Sequence, residues 1–291
     1  MTTRPTVSVC IPAYRSERFI GEAIQSVLDQ TYSDWELIVV DDASPDGTAS
    51  VIGGFTDDRI RASRNHENLG ATANWNRVLT LARGRFVKVL CGDDILLPHC
   101  LAEQVAGFER NPDAALVAGR RDIVDEDGHV LMAGRGLRGL QGVVPGPEAV
   151  RATVRSGTNI FGEPAAVLLR ADLLPACGPF RGDRPYVIDL DYWCRSLQRG
   201  PLFALDSTVA AFRVSLMSWS VELARHQAAQ TIGLFTDLRR CFPEAISAGD
   251  LALGTTRART LALARAGTYR TLKARAGVAN RVGRRVAVPA G

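Results

Sequence analysis

Apolar strand-like runs and amphipathic helix-like segments alternate along roughly the first 120 residues, joined by short links, and no other feature limits the fold as much. The runs "VSVCIPAY" (7–14), "WELIVV" (35–40), "RIRAS" (59–63), "RFVKVL" (85–90) and "AALVAG" (114–119) have the character of strands. Between the first two, Phe19, Ile20, Ala23, Ile24, Val27 and Leu28 fall on one face of a helix. "TANWNRVLTLAR" (72–83) and "PHCLAEQVAGFERN" (98–111) give further helices, the second opened by Pro98 where its missing N–H costs nothing. The pattern predicts an α/β fold: a mostly parallel, nucleotide-binding sheet flanked by helices. Ligands of such sheets sit beyond the carboxyl ends of the strands.

Two acidic pairs occupy that position. Asp41–Asp42 follows "WELIVV" directly, and Asp93–Asp94 stands in "CGDDILLP" just after "RFVKVL". Acidic residues are common in turns, but adjacent carboxylates repel and lose hydration at the mouth of a core. The usual phosphate loops are absent: no GxGxxG follows the first strand and no GxxxxGK[ST] occurs anywhere. A divalent cation held by carboxylates is the natural substitute, because hard cations take oxygen ligands and bridge diphosphates.

Beyond residue 120 the rhythm changes. "DIVDEDGHVLM" predicts a hairpin turning at Asp127–Gly128, and the glycine-rich segment 133–146 a mobile loop. A strand ("AAVLL"), a helix ("DLDYWCRSLQR") and a strand pair ("PLFALD", "TVAAFRV") follow, then helices from Trp219 and a frayed end at "RVGRRVAVPAG". With 46% hydrophobic and 23% charged residues the chain has a soluble protein's composition, and no apolar stretch approaches the roughly 20 residues of a membrane span. The N-terminus lacks the apolar segment of a secretory signal, so the expected compartment is the cytoplasm. The six cysteines form no CxxC or zinc spacing and are expected as reduced, mostly buried thiols. After Asp250 nine basic residues follow without a single acid, which leaves two readings, a solvated helix face as the default and docking on an anionic membrane face as the sharper one, with no nucleic acid expected.

The segment from Val7 through "VVDDASPDGT", continued by "NLGATANWNRVLTLARGRFVKVLCGDDILLP" and by "DLDYWCRSLQRG" (189–200), resembles family 2 glycosyltransferases, which have the glycosyltransferase-A fold. The likeness covers about residues 6–215. It implies a catalytic domain over 1–215, with a nucleotide-sugar half (1–120) and an acceptor half (121–215), followed by a basic helical extension (216–291). By position, the resemblance places Pro12, Ala13, Tyr14 and Glu17 on the loop lining the nucleotide, Asp42 on the base, and Asn68, Gly70 and Asn76 near base or sugar. Asp94 falls on the metal-binding motif, with Asp93 beside it on metal, ribose or sugar, and the metal is expected to be Mn²⁺ or Mg²⁺. Asp189 falls on the catalytic base, with Asp191 as the alternative. Many relatives carry a histidine where Ser215 stands in "FRVSLMS".

The implied reaction moves a sugar from a nucleoside-diphosphate-sugar to the hydroxyl of a saccharide or lipid-linked acceptor. One base candidate favours inversion, and an aspartate of ordinary pKa, about 3.9, is already ionised at neutral pH. Two alternatives stay open: a nucleotidyltransferase, and a relative that binds sugar nucleotides without turning them over.

Overall fold

A computed structural model of the chain describes residues 4–215 and 223–283, with side chains placed to residue 267. The elements run β1 (Val7–Ala13), α1 (Ile20–Leu28), β2 (Trp35–Asp41), α2 (Thr48–Gly53), β3 (Ile60–Arg64), α3 (Ala71–Thr80), β4 (Phe86–Val89), β5 (Ile95–Leu96) and α4 (Cys100–Arg110). There follow β6 (Leu116–Val124), β7 (Val130–Arg135), β8 (Gly142–Val144), α5 (Gly146–Ser156), β9 (Val167–Arg170), α6 (Leu174–Cys177), α7 (Ile188–Ser196), β10 (Leu202–Arg213), α8 (Gln227–Cys241) and α9 (Ala248–Gly283). The described strands form one sheet in the order β3-β2-β1-β4-β9-β6-β10-β5, with β7 beside β6 and β8 beside β10.

Parallel pairing joins β3, β2, β1 and β4, and also β6 and β10. Antiparallel β9 bridges β4 to β6, so all six of those strands run the same way and share one carboxyl edge. Successive side chains of a strand face opposite layers. Val7, Val9, Ile11 and Ala13 accordingly pack with Ile20, Ile24, Val27 and Phe108, whereas Cys10 faces Ile38, Val40, Val78 and Val87 on the other side. Burial on both faces explains why β1 and β2 read as unbroken apolar runs. Lys88 sits in the middle of β4 fully buried, its Nζ donating to the carbonyls of Ala165 (2.7 Å) and Val167 (3.0 Å).

Two local expectations are corrected. The strand pair of 202–213 is one strand: Asp206–Ser207, which carries a turn signal, is absorbed as a register shift against β6. The segment 133–146 is no mobile loop, because it holds the end of β7, all of β8, and a buried Leu137 whose N–H donates to Ile160 O at 2.6 Å. Antiparallel β9 lies within the mostly parallel sheet that the pattern predicts. The frayed end expected at 281–291 lies largely outside the described residues.

Helices α8 and α9 pack together beside α5 and the turn that precedes α7. Leu234, Phe235, Leu238, Phe242 and Ile246 share a core with Val154, Tyr192 and Trp193. Asp250, 2% exposed, anchors the start of α9 to α5 through Arg151 (3.0 Å) and Arg155. Among the described residues no helix is long and apolar enough to cross a membrane.

Candidate active site

The turn after β4 sets its two aspartates at the shared carboxyl edge. Asp94 is wholly buried: its Oδ1 accepts the N–H of Arg213 at 3.1 Å, while its Oδ2 has no protein partner. Arg213, itself 1% exposed, pins the turn from the end of β10. It donates to Asp93 O (3.0 Å), Glu126 O (2.8 Å) and Glu22 Oε2 (2.5 Å), with its guanidinium over the Phe19 ring. Burial, and then the neighbouring Asp93 charge, push the Asp94 carboxyl well above the usual range; burial likewise raises Asp93. A buried carboxylate oxygen without a donor, beside a second carboxylate, is an arrangement that a cation relieves.

Ligand atoms of Cys91, Asp93 and Asp94 lie within 4.8 Å of one another. Burial pushes the Cys91 thiol far up, and the charges of Asp94, Asp93, Asp189 and Glu163 push it further; the two carboxylates are the donors that suit a hard cation. The Pro164–Ala166 turn that follows Glu163 packs against β4, where Lys88 holds the carbonyls of Ala165 and Val167, and the charges of Asp93, Asp94, Glu163 and Asp189 all act on the Cys91 thiol.

Asp189 lies in the first turn of α7. Its Oδ2 accepts from Asn159 Nδ2 at 2.9 Å and its Oδ1 from the Leu190 N–H at 2.7 Å. The Asn159 amide cannot turn over, because its Oδ1 takes the N–H groups of Phe161 (3.0 Å) and Gly162 (3.2 Å). Gly162 has φ +101°, and a Cβ there would stand 2.7 Å from that of Ala166, so this loop demands glycine. Glu163 follows, clamped by Arg121 through Nε (2.5 Å) and Nη2 (3.1 Å). Burial alone would raise Glu163, yet the Arg121 charge and hydrogen bonds prevail and hold it below the usual range. Burial first, and then the Glu163 charge, push Asp189 up to about 7. The expectation of an aspartate with an ordinary pKa is thereby corrected: the environment tunes this one towards neutrality.

Asp191 points elsewhere. Arg195, one turn on, holds its carboxylate at 2.9 Å, and both line a cleft between α7 and α8 with Arg184 and Asp237. Of the two candidates, only Asp189 is joined to Asn159 and beside Glu163.

The remaining predicted residues line the ends of β1 and β2. Pro12 and Ala13 close β1, and Tyr14 is 43% exposed at its mouth. The two loops are laced together: Arg15 N–H to Ser44 Oγ (3.0 Å), Ser16 N–H to Thr48 Oγ1 (2.8 Å), and Gly47 N–H to Glu17 Oε2 (2.9 Å). Arg15 and Ala43 both take positive φ, 50° and 53°, a strain that gathers at functional loops. Asp42 is 1% exposed and turned inward, accepting from Asn65 Nδ2 (2.6 Å), Leu69 N–H (2.9 Å) and Gly70 N–H (2.9 Å). Asn68 donates to Asp42 O at 3.3 Å, so Asp42 shapes the 65–70 loop from beneath. Both ends of the Asn76 amide are taken by the backbone of Phe180, at 3.0 and 2.8 Å.

Sequence reasoning passed over Asn159, Glu163, Arg121 and Arg213. No motif spacing flags them, and arginine is so frequent here, with only Lys88 and Lys273 as lysines, that one arginine carries little signal.

Glycosyl transferase family 2 matches residues 8–172, more than half of the chain. The protein MT1568 of Mycobacterium tuberculosis is 34% identical over 205 residues, 67% of this chain and 63% of that one. The Escherichia coli UDP-Glc:alpha-D-GlcNAc-diphosphoundecaprenol beta-1,3-glucosyltransferase WfgD is 36% identical over 121 residues, 42% of this chain and 47% of its own. The chain thus spans about half to two thirds of these curated relatives. In fold it resembles the mannosyltransferase PcManGT of Pyrobaculum calidifontis, solved with GDP-Man and Mn²⁺: TM-score 0.62 at 18% identity, over 95% of this chain and 81% of that one.

Proposed function

Since the chain belongs to glycosyl transferase family 2, we propose that it transfers a hexosyl or deoxyhexosyl group from a nucleoside-diphosphate-sugar to an acceptor hydroxyl, with inversion. The observation that carries the reading is the unpartnered, buried Oδ2 of Asp94 in the same acidic space as Asp189. Asp94, with Asp93, would hold Mn²⁺ or Mg²⁺, and the ion would neutralise charge on the departing diphosphate. Residues 1–120 hold the donor, with Pro12, Ala13, Tyr14 and Glu17 along the nucleotide and Asp42, Asn68 and Gly70 shaping the loop beside it. Residues 121–215 present the acceptor.

Asp189 Oδ takes the proton of the acceptor hydroxyl as its oxygen bonds to the anomeric carbon. The bond from that carbon to the diphosphate oxygen breaks on the opposite face, and the nucleoside diphosphate leaves with the electron pair. Leu190 N–H and Asn159 fix the carboxylate for this transfer. A single displacement needs no second nucleophile, and inversion follows. The basic residues of the C-terminus from Arg270 onward would hold the protein against the inner, anionic face of the cell membrane, where a lipid-linked saccharide acceptor lies.

The test is slow hydrolysis of a panel of UDP-, GDP- and dTDP-sugars with Mn²⁺ or Mg²⁺. Free sugar and nucleoside diphosphate are expected from one of them. Pyrophosphate with a triphosphate would make it a nucleotidyltransferase, and binding without turnover an inactive relative.

A further inference from the structure

The family match ends at residue 172, and both the proposed base, Asp189, and the C-terminal helix α9 lie beyond it. Arg265, half-buried on α9, spreads its guanidinium over three separate segments. Nη2 donates to Thr158 Oγ1 at 2.8 Å, and Nη1 to the Tyr186 hydroxyl at 3.0 Å and to Gln227 Oε1 at 3.2 Å. Thr158 directly precedes Asn159, which holds Asp189 Oδ2. Tyr186 stands three residues before Asp189 on the short 3₁₀ turn Pro185–Val187 that opens into α7, and its N–H donates to Gln230 Oε1 at 2.8 Å. The two backbone segments that aim the carboxylate therefore meet at one side chain from the C-terminal helix.

We infer that Arg265 is a positioning residue: it locks the 158–163 loop to the 185–189 turn, so that α9 completes the catalytic centre. The physical ground is the planar fork of the guanidinium, whose five N–H donors serve acceptors on several segments at once. A lysine ammonium reaches the same neighbourhood as a point charge without that geometry. After the larger effect of Arg121, the Arg265 charge also favours the ionised form of Glu163. Arg257 adds a second tie from α9, donating to Arg155 O at 2.9 Å. The inference rests on the reading of Asp189 as base, and the experiment separates the two.

In the full-length chain, Arg265→Gln is expected to lower kcat for donor cleavage about tenfold, since small misplacements of a reacting group weigh heavily. KM for the donor should stay within about twofold, because nothing made only with the donor is removed. Arg265→Lys should recover part of the loss. Independently of turnover, hydrogen exchange of the Asn159–Glu163 and Leu190 amides should quicken about tenfold in Arg265→Gln. Wild-type kcat together with unchanged exchange overturns the inference. Should Arg265→Gln fold poorly, Thr158→Val decides: a lower kcat at an unchanged melting temperature supports the brace, and an unchanged kcat refutes it. If the wild-type protein cleaves no donor, the proposed function falls, while the exchange measurement still judges the brace.

Discussion

Asp189 shows how far one carboxyl can be moved by its surroundings. With a pKa pushed up to about 7 in the free protein, it must lose its proton to act as base, so kcat/KM should rise with pH through a midpoint near 7. A pH–rate profile already flat from pH 5 would remove it from that role. Linkage gives an independent check. The folded carboxyl holds its proton more tightly than an unfolded one of about 3.9, so its contribution to stability falls as pH rises between the two values. Asp189→Asn loses one of the hydrogen bonds from Asn159 and Leu190 at every pH but also removes the buried charge, so it should cost less stability at pH 8 than at pH 4, while abolishing transfer and sparing donor binding. Asp94 follows the same logic at the other wall. Asp94→Asn removes a buried charge, so without metal it should melt at or above the wild type. Mn²⁺ should raise the melting temperature of the wild-type protein, by the equivalent of about 2.7 kcal/mol at a hundredfold excess over Kd, and leave that of the variant unmoved. Chelation by EDTA should correspondingly abolish wild-type turnover.

Among the elements, α9 depends on its first turn. Asp250 accepts from Arg151, Arg155 and the N–H and hydroxyl of Ser247, and these donors hold its carboxyl far below the usual range although burial opposes them. A depressed folded pKa means that this stabilisation is present above the unfolded value of about 3.9 and is lost as pH falls below it. Asp250→Asn should lower stability at pH 7 by about 2 kcal/mol, a range set by hydrogen bonds to charged groups, and by much less at pH 3. Equal destabilisation at both pH values, in denaturant titrations, would contradict the assignment. The 65–70 loop shows the same economy: one inward aspartate, Asp42, satisfies two backbone N–H groups and an amide, and thereby shapes the loop without facing solvent.

At the scale of the whole molecule, the charge is divided. The nine basic residues after Asp250 leave the first 250 residues acidic by five charges. Because α9 packs on α5 and α8 from its start, removing everything after residue 250 would strip core contacts such as the buried Ala258 along with the charge. The sharper test keeps the chain whole and replaces Arg270, Lys273, Arg275 and Arg281 by Gln. Binding to vesicles of anionic lipid at low salt should fall by about a thousandfold, at about 1 kcal/mol for each of the four charges lost. Equal binding by both proteins would end the proposal of a docked membrane face.

What the sequence by itself determined is what local chemistry dictates. Apolar runs and helical periodicity announced a helix-flanked parallel sheet, and the acidic pairs marked its carboxyl edge, because strand burial and strand-end turns leave their mark within a few residues. Only the tertiary structure decided which acids meet. Asp189 and Asp191 are two residues apart, yet one faces Asn159 and Glu163 and the other Arg195, since a helix sends such neighbours in different directions. Arg213, 119 residues from Asp94, and Arg265, 107 residues from Thr158, gain their roles from contacts that no local pattern encodes. The same holds for the pKa of Asp189: burial and a neighbouring charge belong to the packed molecule, not to the residue.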